Sequence, residues 1–147
     1  MSDLQSASVE EFDRLYRTNV RVPYLLTQSL LPVLKRKKGQ VVFINSTQGL
    51  QARAYVGQFA ATQHALKAIA DSLRDEVNSD GIRVFSVYPG RTATPRMETI
   101  FAMEGREYKP ELLLQPEDIA EVVMNALMMP LTAEMTNVTI RPLKKSY

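Results

Sequence analysis

The chain is 147 residues long, 45% hydrophobic and 23% charged, with a formal net charge of +2. That length fits one domain with its own core, and the composition is that of a globular protein rather than a disordered one. The small charge argues against nucleic acid or a membrane surface as partner, the absence of cysteine removes disulfides and thiolate chemistry, and a lone His64 argues against a histidine metal site.

In chain order, residues 1–8 are a polar lead-in, and no apolar run reaches membrane-spanning length, so a cytoplasmic protein is the expectation. Ser8 and Glu11 have the spacing of a capping box. From there Phe12, Leu15, Tyr16, Asn19, Val22, Leu26, Leu30, Val33 and Leu34 recur at helical steps to about residue 37. Pro23 and Pro32 lie inside that stripe and predict a bend. Asn19 is its one polar member, and a buried amide there would satisfy carbonyls freed by the kink. The basic run Lys35–Lys38 complements the helix dipole, and Gly39 ends the helix.

Gln40 to Ser46 is rich in β-branched residues and predicts a strand buried on both faces. Ser46 then stands at its carboxyl end, where open α/β sheets bind ligands, although turn or capping chemistry in NSTQG would also explain it. Asn45 and Asn137 fall in N-x-S/T patterns that carry no meaning without a secretory route. From Tyr55 to Val77, Tyr55, Phe59, Gln63, Leu66, Ala70, Leu73 and Val77 share one face of a long predicted helix. Asn78 to Gly81 closes it, and Ile82 to Tyr88 is a second buried strand leading into Pro89-Gly90-Arg91-Thr92-Ala93-Thr94. After residues 95–114, with Met97, Ile100, Phe101 and Met103, Pro116 opens a last helix to about residue 129. Asn137 to Arg141 reads as a third strand, and the tail with Lys144 and Lys145 as solvated. Strands separated by helices imply right-handed crossovers and a parallel sheet, hence an α/β fold in a single domain, residues 1–147.

Strand, Ser46 and then GQFAATQHALKAIADSLRDEV resemble the active-site segment of the short-chain dehydrogenase/reductase family, and TNV around Asn19 and the Pro89–Thr94 turn fall in the family's order. The resemblance covers the C-terminal part of that fold. It implies a partial Rossmann-like, three-layer arrangement with about three parallel strands and long flanking helices. It also implies roles: Ser46 binds a substrate carbonyl, the Asn19 carbonyl holds a relay water, and Thr94 meets the nicotinamide carboxamide from a turn shaped by Pro89, Gly90 and Thr92. Residues 95–114 would be the mobile helix and loop that cover substrate, although a stripe of methionine and aromatic residues is more often plain packing.

In the positions where the family has its tyrosine and, four residues later, its lysine, this chain has Phe59 and Gln63. Phe59 has no proton to exchange with a substrate oxygen, and Gln63 has no charge to favour a phenolate. Tyr55 and Lys67 cannot substitute as a pair, because twelve residues of helix would separate them by about 18 Å.

The strand, glycine-rich turn and helix that open the family fold have no counterpart in this sequence, whose glycines at 39, 49, 57, 81, 90 and 105 form no phosphate-binding motif. No cofactor is therefore expected on this chain alone, and NAD(P) only if another chain supplies that half. Val41 to Ile44 becomes an open apolar sheet edge. A homo-oligomer, or a hetero-oligomer with a full-length relative, is expected, with the two long helices available for the family's four-helix dimer contact. Three functions fit: a degenerate, redox-inactive assembly or regulatory module; an NAD(P)-dependent oxidoreductase completed by another chain; or a cofactor-free small-molecule binder or catalyst around Ser46, Asn19 and Tyr55.

Overall fold

The structure is a computed structural model that describes residues 2–144; Lys145 of the basic tail lies outside the described residues. Ser8 opens the first helix by accepting a hydrogen bond from the Glu11 N–H at 3.1 Å. Only half of the expected capping box forms, because the Glu11 carboxylate turns to Arg14 instead.

Helix α1 (Val9–Tyr16) runs through a π turn at Arg17–Arg21 into α2 (Val22–Lys37). The irregularity falls just before Pro23. That residue has no N–H to offer the Asn19 carbonyl, and the ladder widens so that the Val22 N–H reaches Arg17 O. Pro32 sits inside α2 without ending it. Lys38, at φ 50°, takes the left-handed position that stops the helix. Gly39 follows it, where a Cβ would meet the movable tip of Leu34, 2.6 Å away at Cδ2.

Three parallel strands follow in sheet order, β1 (Gln40–Ile44), β2 (Arg83–Pro89) and β3 (Asn137–Ile140). On one face Phe43, Val84 and the adjoining Ile82 pack with Leu66, Ala70, Leu73 and Val77 of α3 (Gly57–Val77), joined by Leu31 and Leu34 of α2. On the other, Phe85 and Val87 pack with Ala126, Ile119 and Val122 of α5 (Pro116–Leu127). Helices on both faces of a parallel sheet give the three-layer α/β architecture.

Burial departs from the sequence pattern in three places. Only β2 is covered on both sides; β1 leaves Ile44 57% exposed because, among the described residues, its outer edge has no strand beside it. No residue of α2 is buried, so the apolar stripe from Phe12 to Leu34 is not one core face. Tyr55 lies outside α3, at φ 65° and 61% exposed, so the helix begins two residues later than its periodicity suggests and Tyr55 does not share the Phe59 face. Among the described residues no helix is long and apolar enough to cross a membrane.

Between β2 and α5 the chain leaves the sheet, forming α4 (Pro95–Met103) and a loop. The base of this excursion is closed by Ala93 N–H to Leu114 O at 2.7 Å and Leu114 N–H to Arg91 O at 3.1 Å. Inside it, the guanidiniums of Arg91 and Arg106 lie 4.8 and 4.9 Å from the buried Phe101 ring, and both bind Glu104. A segment expected to be mobile is thus cross-tied to the end of β2.

Hydrogen bonds from Arg91 hold the Glu104 carboxyl below the usual carboxylate range, against the opposing effect of burial. A pKa lowered by folding adds stability that is complete above the unfolded value, near 4.5, and is lost as pH falls through the folded value. Amide exchange across residues 95–114 is therefore expected to be faster in Glu104→Gln than in wild type at neutral pH. The two should converge in acid below the usual value, and equal exchange at neutral pH would mean that Glu104 does not hold the segment.

Candidate functional site

The site is organised by an amide. Asn45, directly after β1, is 7% exposed, and its N–H continues the sheet to Val87 O at 2.9 Å. Its side chain spans two elements: Nδ2 donates to the Gln63 backbone carbonyl at 3.1 Å, and Oδ1 accepts from the Ser46 N–H at 2.7 Å. Ser46 is thereby fixed against α3. Its Oγ accepts from the Gln48 N–H at 3.2 Å, capping the 3-10 turn Thr47–Gly49. The capping explanation of Ser46 therefore holds, and the hydroxyl keeps its own proton to donate. Asn45 is the residue that sequence reasoning missed; its signal was an uncharged amide at the end of a predicted strand.

On α3, Gln63 is 5% exposed and Phe59 half-buried. Asn19 reaches this helix through Thr62: its Nδ2 donates to Thr62 Oγ1 at 3.0 Å, which in turn donates to Phe59 O at 2.8 Å. The Asn19 amide therefore joins two helices and does not satisfy a carbonyl freed at Pro23. The Arg96 guanidinium lies 4.9 Å from the centroid of the Phe59 ring.

Arg96 is brought there by the turn after β2. Pro89 is the last residue of that strand and is buried. Gly90 passes so close to β3 that a Cβ would lie 3.3 Å from Arg141 Cβ. Thr92 Oγ1 donates to Gly90 O at 3.2 Å, while Thr94 Oγ1 accepts from the Met97 N–H at 3.2 Å and so caps α4. Both threonine hydroxyls are engaged by the turn itself.

Asn19 and Gln63 line a cleft of about 290 Å³ with Thr18, Val22, Pro23 and Leu26 from the helix and Val42, Phe43 and Ile44 from β1. Ser46, Phe59 and Thr94 are not part of its lining. The structure thus divides the expected set into an amide pair beside the sheet edge and a second group, Phe59 under Arg96, joined to the Pro89–Thr94 turn. His64 is exposed, with Nδ1 2.9 Å from Ala60 O, and Lys67 is paired with Asp71 one turn on, which raises its pKa. Among the described residues no three His, Cys, Asp or Glu side chains are placed to hold a metal.

A nicotinamide dinucleotide needs backbone N–H groups left open at a glycine turn for its pyrophosphate. Gly39, Gly49, Gly57 and Gly90 each have another part of the chain within 3.3 Å of where a Cβ would sit, so they serve chain packing. Gly81 and Gly105 hold left-handed turn positions. The first four do not leave an open glycine turn for a pyrophosphate. The tightest is Gly49, where a Cβ would lie 2.5 Å from Asn45 Oδ1 and 2.9 Å from Gln63 O. Gly49→Ala is expected to lower stability by about 1–3 kcal/mol in chemical denaturation and to disturb the Ser46 and Gln63 amides together; an unchanged midpoint would mean that the turn is not packed on α3.

An uncharacterized oxidoreductase of Staphylococcus epidermidis is 30% identical over 142 residues, which cover 96% of this chain and 59% of that protein. Serine dehydrogenase from Escherichia coli shares the fold over 100% of this chain and 60% of its own, with a TM-score of 0.83 at 23% identity. An alcohol dehydrogenase from the archaeon Thermococcus sibiricus, solved with 5-hydroxy-NADP, matches 99% of this chain and 60% of its own, with a TM-score of 0.81 at 25% identity. The chain spans about three fifths of the length of these proteins. Residues 1–105 match the family model for short chain dehydrogenases, and the chain belongs to that family.

Proposed function

We propose that this chain is a degenerate short-chain dehydrogenase that does not transfer hydride by itself and acts as an association or regulatory module. The observation that carries the reading is Phe59: a ring without an ionisable group, with a guanidinium 4.9 Å from its centroid. Reduction of a carbonyl needs a proton as well as a hydride. Asn19, Ser46 and Gln63 can hydrogen-bond a ligand, the Thr94 hydroxyl is engaged by its own turn, and none of the four releases a proton near neutral pH. Gln63 keeps the reach of a ribose-binding side chain without the charge that would stabilise a phenolate.

Two surfaces support association. Helix α2 buries no residue, and the outer edge of β1 has no strand beside it among the described residues. A homo-oligomer, or a complex with a full-length relative, covers them. Titration of the purified chain with NADH and NADPH is expected to give no heat, from a sample whose mass in solution is that of a defined oligomer. Binding near or below about 10 μM, about 7 kcal/mol, would overturn the redox part of the reading, and a stable monomer would overturn the association part.

The second reading, an NAD(P)-dependent oxidoreductase completed by another chain, is favoured by one feature: Ser46 keeps a free hydroxyl proton beside α3. It predicts that Phe59→Tyr with Gln63→Lys, mixed with the half of a relative that this chain lacks, gives NAD(P)H-dependent carbonyl reduction about 100-fold or more above that of the unreverted chain in the same mixture. No rise would remove it. A cofactor-free binder or catalyst has less support, since Tyr55 is 61% exposed and off the helix, and a cleft of about 290 Å³ is small for a drug-sized ligand.

A further inference from the structure

The excursion between β2 and α5 carries three arginines, and two of them show what such a group binds. Arg91 grips both Glu104 oxygens, at 2.9 and 2.7 Å, and Arg106 shares one of them at 3.1 Å. The third, Arg96, is exposed and has no carboxylate partner among the described residues. Glu98 stands only two residues on, and side chains at that spacing do not face each other on a helix. Arg96 is nonetheless held in one place, its guanidinium 4.9 Å from the centroid of the half-buried Phe59 ring on a different helix. The ring occupies the face of the guanidinium and leaves the N–H fork along its edge free for a planar anion.

We propose that Arg96, stacked on Phe59, is a binding site for a small monocarboxylate. One free guanidinium balances one negative charge. A phosphate group brings closer to two, and with Arg91 and Arg106 committed to Glu104 the excursion has no second guanidinium to meet it. The surroundings add hydrogen-bonding groups without charge. The turn Thr47–Gly49 packs against α3 at Gln63, four residues and about 6 Å along the helix from Phe59. At that turn Ser46 keeps a hydroxyl proton, and the Gln48 side-chain oxygen is buried with no hydrogen-bond partner among the described residues. Neither Arg96 nor Phe59 lines the cleft beside β1, so the site is separate from it. A bound carboxylate would fix Arg96 and with it the start of α4 against α3. The inference goes beyond the association reading, since it needs neither a partner chain nor hydride transfer.

The probe is sodium butyrate, titrated into the full chain at constant ionic strength, with butyramide, its uncharged analogue of the same shape, and inorganic phosphate as comparisons. Butyrate is expected to bind at about 1–10 mM, to shift the Arg96 Nε–H and Phe59 ring resonances, and to slow amide exchange in the first turn of α4. Butyramide should bind about tenfold or more weakly. Arg96→Gln should weaken butyrate about tenfold or more, and Arg96→Lys, which keeps the charge but loses the fork and the stack, about threefold or more. Arg36→Gln makes the same charge change at an exposed arginine of α2 and should leave the affinity unchanged. No binding at about 50 mM butyrate would overturn the proposal. So would binding that is matched by butyramide, indifferent to Arg96→Gln, or weakened as much by Arg36→Gln. Tighter binding of phosphate than of butyrate would overturn the assignment to a carboxylate. A monomer that binds butyrate through Arg96 would end the association reading and leave this site standing, whereas a defined oligomer that binds none would do the reverse.

Discussion

The contact on which the site depends is the side chain of Asn45. A parallel strand that ends beside a helix leaves its last main-chain groups to be satisfied by something other than sheet or helix ladder. Here one buried amide does both jobs, giving its N–H₂ to the Gln63 carbonyl and its oxygen to the Ser46 N–H. The end of β1, the turn that Ser46 caps and the middle of α3 are thereby one rigid unit. Gly49 completes it by letting the turn lie against α3 at a distance no Cβ would tolerate. Ser46 and the backbone of α3 at Gln63 both hang from that joint.

Around the joint the links are made by groups that do not titrate near neutral pH. Asn19, Thr62 and the Phe59 carbonyl form a continuous hydrogen-bonded link between α3 and the π turn. Gly49 and Gly90 allow close packing between segments, and the two threonine hydroxyls after β2 are spent on shaping their own turn.

Much of the fold was legible in the sequence because it rests on local rules. The break at Gly81, the β-branched run into β2 and the proline that opens α5 each follow from the allowed conformations of single residues. Ser46, Phe59 and Gln63 could be placed because a strand end and a helix period fix their relation. What could not be read depends on long-range company. Nothing in the composition of β1 says that one edge lacks a neighbour, so a strand that reads as fully buried leaves Ile44 exposed. Arg96 meets Phe59 from a helix far along the chain, and the ties of Arg91 and Arg106 to Glu104 need the loop to fold back, which no periodicity signals. Asn45 was legible as a residue type but not as a joint, since its two partners lie in different elements.

The π turn at Arg17–Arg21 explains why the first stripe misled. A π turn absorbs one additional residue within a helix, and each residue in an α-helix advances the side-chain direction by about 100°. Residues before and after the turn are therefore counted on two helical wheels out of phase by one position. Phe12 and Leu15 belong to the first, and Val22, Leu26 and Leu30 to the second. A one-residue gap opened or closed here when related sequences are aligned is thus a physical event, the gain or loss of that turn. It would leave both helices in place while changing which side of the π turn Thr18 and Asn19 are counted on.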